Sequence, residues 1–151
     1  YCAMTQPFTH RTLPRLLLQA REAVMVHTRP SLRAHGLSDQ QWRVLRVLGE
    51  HGTVETGRVA REAFILGPSL TGVLARMERD ALIARERDPA DQRRTVIRAT
   101  SKGKRLVAKL SGAIEAHYVW MEDSIGRDPL RQLYDLLDTL IALEQPDRET
   151  T

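Results

Sequence analysis

The sequence predicts a mainly α-helical fold in which one small β-hairpin interrupts a series of helices. Apolar residues recur at three- and four-residue steps over most of the chain, a spacing typical of amphipathic helices. Proline, glycine and capping residues divide this pattern into six helical segments. Between the fourth and fifth segments, two short strand-like runs flank a polar turn, which indicates a hairpin.

The first two helices are bounded by recognisable start and stop signals. The first covers residues 13–34, and Pro30 is expected to kink or interrupt it because proline lacks the N–H that a helix interior needs. The second begins after Ser38, with Gln41 at the capping-box position, and ends at Gly52. Both signals are local, so they predict these boundaries without tertiary information.

The remaining elements follow in a regular order. A short third helix is expected after Thr56, which we predict to be its N-cap. Residues 67–69 start the fourth helix, because proline is tolerated in a first helical turn. The strands of the hairpin cover residues 82–87 and 95–99. The last two helices begin at residues 100–103 and 128–129.

Charge is distributed unevenly along the chain. Residues 1–57 carry a net charge of +3, residues 58–109 carry +7 and residues 110–151 carry −6. A basic middle segment suits phosphate binding, and an acidic end suits a part of the protein held away from phosphate. An unevenly charged but merely solvated surface is the alternative.

Composition argues against several kinds of site. The only cysteine is Cys2, which precedes Met4 in a stretch that we interpret as an expression remnant, so disulfides and cysteine chemistry have no basis. The five histidines are scattered, and no phosphate loop or nucleophile elbow is present, so we expect no metal, no cofactor and no enzyme. Without a membrane span or a signal peptide, we expect a cytoplasmic protein.

The fourth helix presents a surface that suits the major groove of DNA. Opposite its apolar side lie Ser69, Thr71, Gly72 and Arg76. Small side chains let the backbone approach base edges, and an arginine binds guanine or phosphate. The helix start at Pro68 has free N–H groups that suit an anion. The alternative is an ordinary surface helix.

The tip of the hairpin provides a second basic contact. Arg93 and Arg94 lie there, and a guanidinium is attracted to the narrow minor groove. Asp91 is expected to accept a hydrogen bond from the Arg93 guanidinium and fix its orientation. The alternative is an exposed ion pair of little energetic value.

A short helix, a turn, a helix and a hairpin form a winged helix-turn-helix, so we predict double-stranded DNA as the partner.

Three segments resemble the MarR family of regulators. The run from Asp91 through Arg93 to Gly103 resembles the wing pattern of that family, an Asp-x-Arg followed by Leu-Thr-x-x-Gly. Residues 68–78 resemble its recognition helix, and residues 38–46 resemble its second helix. The resemblance extends over roughly residues 13–143.

The chain departs from the family pattern at two positions. Ala99 stands where the wing pattern has leucine, which is expected to loosen the packing behind the wing. Ala81 stands where glycine is common, which puts a positive-φ turn after the recognition helix in question. Neither position is one of the proposed DNA contacts.

Within the family, the first helix and the Gln-Gln-Trp-Arg run resemble repressors of homoprotocatechuate degradation. The resemblance implies one MarR-like domain over residues 1–151, with dimerisation helices at 13–36 and 104–145 and a winged helix-turn-helix at 37–103. It also implies a homodimeric repressor that a small aromatic acid, of the homoprotocatechuate, hydroxyphenylacetate or hydroxynicotinate type, releases from a palindromic operator. A winged-helix module that binds protein or RNA without an effector is the alternative.

An aromatic acid needs an apolar slot and at least one cationic donor. On this chemistry Arg21 is the preferred carboxylate clamp, with Trp42 and Phe64 as walls of the slot. In the alternative interpretation, the two aromatic residues are core and Arg21 only bridges two helices. The full set of ligand-binding candidates is Arg15, Arg21, His27, Trp42, Phe64, Leu66 and His117.

Overall fold

The computed structural model describes residues 7–143, and these contain six helices and three short strands. The elements are α1 (Leu13–Ala34), α2 (Asp39–His51), β1 (Val54–Glu55), α3 (Thr56–Ala63), α4 (Gly67–Arg79), β2 (Ile83–Arg87), β3 (Thr95–Ala99), α5 (Ser101–Ile125) and α6 (Arg127–Ile141). The predicted order and the mainly α class are confirmed. Strand β1 is an addition that the sequence pattern does not predict.

The local signals around α1 and α2 are only partly confirmed. Ser38 and Gln41 form the predicted capping box, with both reciprocal hydrogen bonds present. Gly52 ends α2 with a φ of 73°. In contrast, α1 continues through Pro30, so the helix is not interrupted there, and the kink stays a prediction. The side chains of Thr28 and Leu32 on either side are buried, and this packing holds the last turn despite the missing hydrogen bond.

The predicted cap of α3 is wrong. Thr56 is the first residue of the helix, and the N-cap is Glu55. The Thr56 hydroxyl instead donates to the carbonyl oxygen of Thr95 on β3, at 3.1 Å. Pairing of β1 with β3 brings the hydroxyl to this acceptor, a tertiary contact that a linear pattern does not reveal.

The three strands form an antiparallel sheet in the order β1-β3-β2. Its buried face includes Val54, Ile83 and Ile97. The base of the hairpin contacts the start of α5 so closely that a Cβ at Gly103 would collide with the carbonyl oxygen of Leu82. Glycine is therefore required where α5 passes the sheet.

The turn after α4 keeps its left-handed conformation without glycine. Ala81 has a φ of 59°. Its carbonyl oxygen accepts a hydrogen bond from the Thr100 hydroxyl at 2.5 Å, and the next amide, of Leu82, donates to Met77 at 2.9 Å. These bonds hold a conformation that an alanine adopts at some cost.

The structure divides into two compact units between Ser111 and Gly112. The core of the first unit is aliphatic and is formed largely by α2, α3, α4 and β3. Its fully buried side chains include Val44, Leu45, Val59, Val73, Leu74, Met77 and Ile97. Packing this face of α4 inward fixes which side of the helix is exposed.

The second unit, described up to residue 143, contains the end of α5 and the whole of α6. No residue of α6 is buried in the single chain. Partial burial raises the pKa of Tyr134, and the neighbouring Tyr118 and Glu115 raise it further. The unit exposes large apolar side chains, namely Val119, Trp120, Leu133, Tyr134, Leu136 and Ile141. An apolar surface of this kind marks an interaction site.

Among the described residues, no helix combines the length and the apolar character that crossing a bilayer requires.

Candidate functional site

Helix α4 directs its polar side outward, as predicted. Leu70, Val73, Leu74 and Met77 are buried, whereas Ser69, Thr71 and Arg76 are exposed. A Cβ at Gly72 would meet nothing within 4 Å, so this part of the helix surface is open. The exposed face is therefore small and hydrophilic, with an arginine toward its C-terminal end.

The start of α4 offers hydrogen-bond donors. No side chain caps this end of the helix, and Pro68 lies in its first turn. The first N–H groups of an α-helix have no acceptor within the helix, so they remain available to an anion. Thr71 donates its hydroxyl hydrogen to the Gly67 carbonyl oxygen at 3.2 Å, and its oxygen keeps the capacity to accept.

At the tip of the hairpin, the two arginines differ in their contacts. Asp91 Oδ1 accepts from the backbone N–H of Arg93 at 3.0 Å, and Asp91 Oδ2 lies 3.7 Å from Arg94 Nε. The predicted hydrogen bond from the Arg93 guanidinium to Asp91 is wrong, because the Asp91 carboxylate instead accepts from the Arg93 backbone N–H, as in an Asx turn. Within residues 7–143, the Arg93 guanidinium has no ion pair, so it projects as the available cation.

Two further contacts stiffen the wing. Arg94 Nη1 lies 3.6 Å from Glu55 Oε2 on β1, and Arg87 Nη1 donates to the Gln92 carbonyl oxygen at 2.9 Å. The sequence pattern does not reveal Glu55, because β1 has only two residues and its partner is far along the chain. The wing is thus a braced turn that presents Arg93.

A cavity of about 340 Å³ lies among α1, α2 and the end of α3. It gathers three of the predicted ligand residues, Arg21, Trp42 and Phe64. The remaining lining residues are Met25, Asp39, Arg43, Arg46, Val47, Glu50, Glu62 and Ala63. Most come from one face of α2, where they recur at helical spacing, a pattern that is visible in the sequence.

The two aromatic residues of the cavity have different environments. Trp42 is 8% exposed and belongs to the core, with one edge on the cavity. Phe64 is 87% exposed, so its interpretation as a core residue is wrong. It has a φ of 53° at the left-handed end of α3, and this backbone conformation turns its side chain away from the core.

Arg21 already has an acidic partner at the cavity. Its Nη2 lies 2.7 Å from Asp39 Oδ2, which joins α1 to α2. The other oxygen, Asp39 Oδ1, is buried and has no hydrogen-bond partner among the described residues. On α1, next to Arg21, a hydrogen bond from Arg29 lowers the pKa of the Glu22 carboxyl group. Arg21 therefore bridges two helices, whatever else it binds.

Two more arginines of α2 line the cavity. Arg43 Nη1 donates to the carbonyl oxygens of Ala63 and Phe64, at 2.7 and 3.1 Å. Arg46 is exposed and makes no hydrogen bond or ion pair within residues 7–143. The cavity thus combines an aromatic wall, cationic side chains and an unpaired carboxylate oxygen.

The other ligand candidates lie outside the wall of this cavity. Arg15 lines a separate hollow with Arg11 and Gln19. His27 is exposed, and Leu66 is the exposed N-cap of α4. His117 belongs to the second unit and is half-buried there. Their ligand roles remain predictions.

No cluster of three or more potential metal ligands occurs in the described part of the chain.

Comparison with known proteins places these features in a family. The sequence profile described as the MarR family matches residues 35–94. The homoprotocatechuate degradative operon repressor of Escherichia coli is 41% identical over 140 residues, which cover 93% of this chain and 95% of the repressor.

Two solved structures have the same fold. NadR in complex with 4-hydroxyphenylacetate is 38% identical, with a TM-score of 0.84, over 93% of this chain and 100% of NadR. The repressor CouR, bound to a 23-mer DNA duplex, is 25% identical, with a TM-score of 0.77, over 85% of this chain and 92% of CouR. With its winged helix-turn-helix and its similarity to operon repressors, the chain belongs to the MarR family of transcriptional regulators.

Proposed function

We propose that this chain is a homodimeric repressor that binds a pseudo-palindromic operator and leaves it when a hydroxylated aromatic acid binds. The observation that carries the proposal is the exposed face of Ser69, Thr71 and Arg76 on a buried scaffold, together with the projecting Arg93. One helix surface and one projecting arginine suit two adjacent grooves of a duplex.

Each DNA contact has a distinct role in this proposal. Ser69 and Thr71 bind base edges or phosphate oxygens, and Gly72 permits close approach of the helix. Arg76 binds guanine or phosphate from the same face. Arg93 enters the minor groove, where the negative potential is strongest. Arg94 and Asp91 hold the turn, and Pro68 opens the helix end toward phosphate.

A homodimer explains the apolar surface of the second unit. Side chains such as Leu133 and Ile141 are exposed in the single chain, and a second copy would cover them. A two-fold axis then places two recognition helices about one helical turn of DNA apart, which requires a pseudo-palindromic site. The predicted dimerisation helices at 13–36 and 104–145 are part of this proposal.

The cavity at Trp42 supports the choice of effector. Trp42 and Phe64 offer apolar faces, Arg21 and Arg46 offer cations for a carboxylate, and the unpaired Asp39 Oδ1 can accept a hydrogen bond from a phenolic hydroxyl. A volume of about 340 Å³ holds a single aromatic ring with short substituents. The names of the relatives, which mention homoprotocatechuate and 4-hydroxyphenylacetate, point to the same chemistry.

Release follows from differential binding to two conformations. The effector shifts the population only as far as it binds the DNA-free conformation more tightly than the DNA-bound one. The proposal requires no cofactor and no turnover, so the effector leaves unchanged. A regulator of this kind acts where the DNA is, which we propose is the cytoplasm.

The test is binding of the purified protein to duplex DNA from its own promoter region, measured by footprinting and by fluorescence anisotropy at several salt concentrations. We expect one protected inverted repeat per dimer, affinity that falls steeply with salt, and release by 4-hydroxyphenylacetate but not by its uncharged amide. Binding of monomers to isolated half-sites would contradict the dimer. Salt-insensitive binding, or preference for RNA or a protein, would favour the effector-free module instead.

A further inference from the structure

The guanidinium of Arg43 joins the cavity to the turn between α3 and α4. Its Nη1 donates to the carbonyl oxygens of Ala63 and Phe64, and the same side chain lines the cavity wall. These carbonyls end α3, and α4 begins shortly afterwards at Gly67. One side chain therefore contacts both the effector cavity and the segment that positions the recognition helix.

This turn is strained at Phe64, an exposed residue between the buried Ala63 and Ile65. Phe64 has a φ of 53° and a ψ of 49°, a left-handed conformation that is unfavourable for a residue with a Cβ. Its side chain is largely exposed, so burial does not compensate. Hydrogen bonds hold the turn: the amide of Ile65 donates to Ala60, and Arg43 binds the two carbonyls. Loss of the Arg43 contacts would remove two of the hydrogen bonds that oppose the strain.

The guanidinium of Arg43 has an unused hydrogen-bond donor, which favours binding of an anion. Arg43 Nε is buried and has no hydrogen-bond partner among the described residues, which is unfavourable. A carboxylate binds a guanidinium best through two parallel N–H···O bonds, either from Nε and Nη2 or from Nη1 and Nη2. Binding through Nη1 and Nη2 competes with the turn, because Nη1 already donates to both of its carbonyl oxygens. In this binding mode, the effector carboxylate and the turn carbonyls are alternative partners of Nη1.

We propose that Arg43 is the positioning residue that couples effector binding to the recognition helix. In the DNA-binding form it clamps Ala63 and Phe64; an effector carboxylate draws it into the cavity and releases the turn, so that the start of α4 shifts. The inference rests on the proposed function, because it requires an aromatic acid in this cavity.

The experiment measures a coupling factor, the ratio of operator Kd values with and without saturating 4-hydroxyphenylacetate. We expect a factor of about 5–150 for the wild type, the usual range for allosteric coupling. Arg43→Gln should bind the operator more weakly and lower the factor to about one. The matched control is Arg46→Gln, which changes a cavity arginine that does not contact the turn. The Arg46→Gln variant should bind the effector more weakly, but its coupling factor at saturating effector should equal that of the wild type.

A second measurement needs no substitution. Hydrogen exchange of the amides at residues 64–66 should accelerate in the wild type when 4-hydroxyphenylacetate binds, and a purely structural role would leave it unchanged. If Arg43→Gln does not fold, Arg43→Lys replaces it. Lysine keeps a donor for the carbonyls but lacks the two parallel N–H groups that bind a carboxylate. The coupling factor of Arg43→Lys should therefore be smaller than that of the wild type.

The outcomes separate the two hypotheses. If 4-hydroxyphenylacetate does not release the wild type, the proposed effector class fails, and the coupling role fails with it. If it releases the wild type and an Arg43 variant by the same factor, the proposed function stands and only the role of Arg43 is overturned. Unchanged exchange at the turn during wild-type release would overturn it as well.

Discussion

Glu55 Oε2 lies 3.6 Å from Arg94 Nη1, which ties the short strand β1 to the tip of the wing. Arg94 also faces Asp91, at 3.7 Å, so this arginine is held between two carboxylates. Its neighbour Arg93 has no ion pair within residues 7–143. Two adjacent residues of the same type therefore have different surroundings: Arg94 braces the wing, and Arg93 is left for the DNA contact that we propose.

Arg93→Ala should weaken operator binding by about 1–3 kcal/mol. The slope of the logarithm of the binding constant against the logarithm of the salt concentration should fall in magnitude by about one. The free energy of unfolding should change by less than about 0.5 kcal/mol, because the side chain is exposed. Arg94→Ala is the matched control and should have the smaller effect on DNA binding. Anisotropy titrations over a salt series and thermal unfolding measure both. Equal losses for the two variants would contradict the division of tasks.

Gly72→Ala separates folding from DNA binding. A Cβ at this position meets nothing within 4 Å, so the substitution should stabilise α4 by about 0.5–1 kcal/mol. Operator affinity should nevertheless fall, because the added methyl group lies on the face that approaches the bases. Gly49→Ala in α2, where a Cβ also meets nothing within 4 Å, should stabilise the fold without affecting DNA. Unchanged operator affinity of Gly72→Ala would remove Gly72 from the interface.

Gly103→Ala should destabilise the first unit. The Cβ would collide with the backbone oxygen of Leu82, which cannot move without disturbing the sheet, so we expect a loss of about 1–3 kcal/mol. The control is Gly112→Ala on the same helix, where nothing lies within 4 Å of the new Cβ and a small gain is expected. Chemical denaturation of both variants measures the difference. A neutral Gly103→Ala would show that α5 can shift away from the sheet.

Arg21→Ala should leave operator binding intact and abolish release by the aromatic acid, as a carboxylate clamp requires. The substitution also leaves Asp39 without its cation, so a stability loss of about 1 kcal/mol is expected for this partly exposed pair. Arg29→Ala, which breaks an exposed pair with Glu22 on the same helix, is the control and should keep the response. Effector titration of the operator complex measures the response. An unchanged response in Arg21→Ala would leave Arg21 only its role as a bridge between helices.

Much of the fold could be predicted from the sequence because its causes are local. The apolar face of α4, the capping box at Ser38 and the hairpin strands depend on residues close together in the chain. The local patterns were insufficient where residues distant in the chain make contact. Burial of Leu32 keeps α1 continuous past Pro30, and the Thr56 hydroxyl donates to Thr95 on β3. The site followed the same rule, since Arg76 and Arg93 were predictable whereas Glu55 was not.

By itself, the sequence determined the order of the elements, the outward polar face of the recognition helix and the two arginines at the tip of the wing. Periodicity, capping and turn residues act within a few positions, so they can be read in one dimension. Only the tertiary structure decided which arginine is braced, that Arg43 holds the end of α3, and that Arg21, Trp42 and Phe64 share one cavity. These relationships join residues far apart in the chain, and packing of the core, rather than any local preference, brings them together.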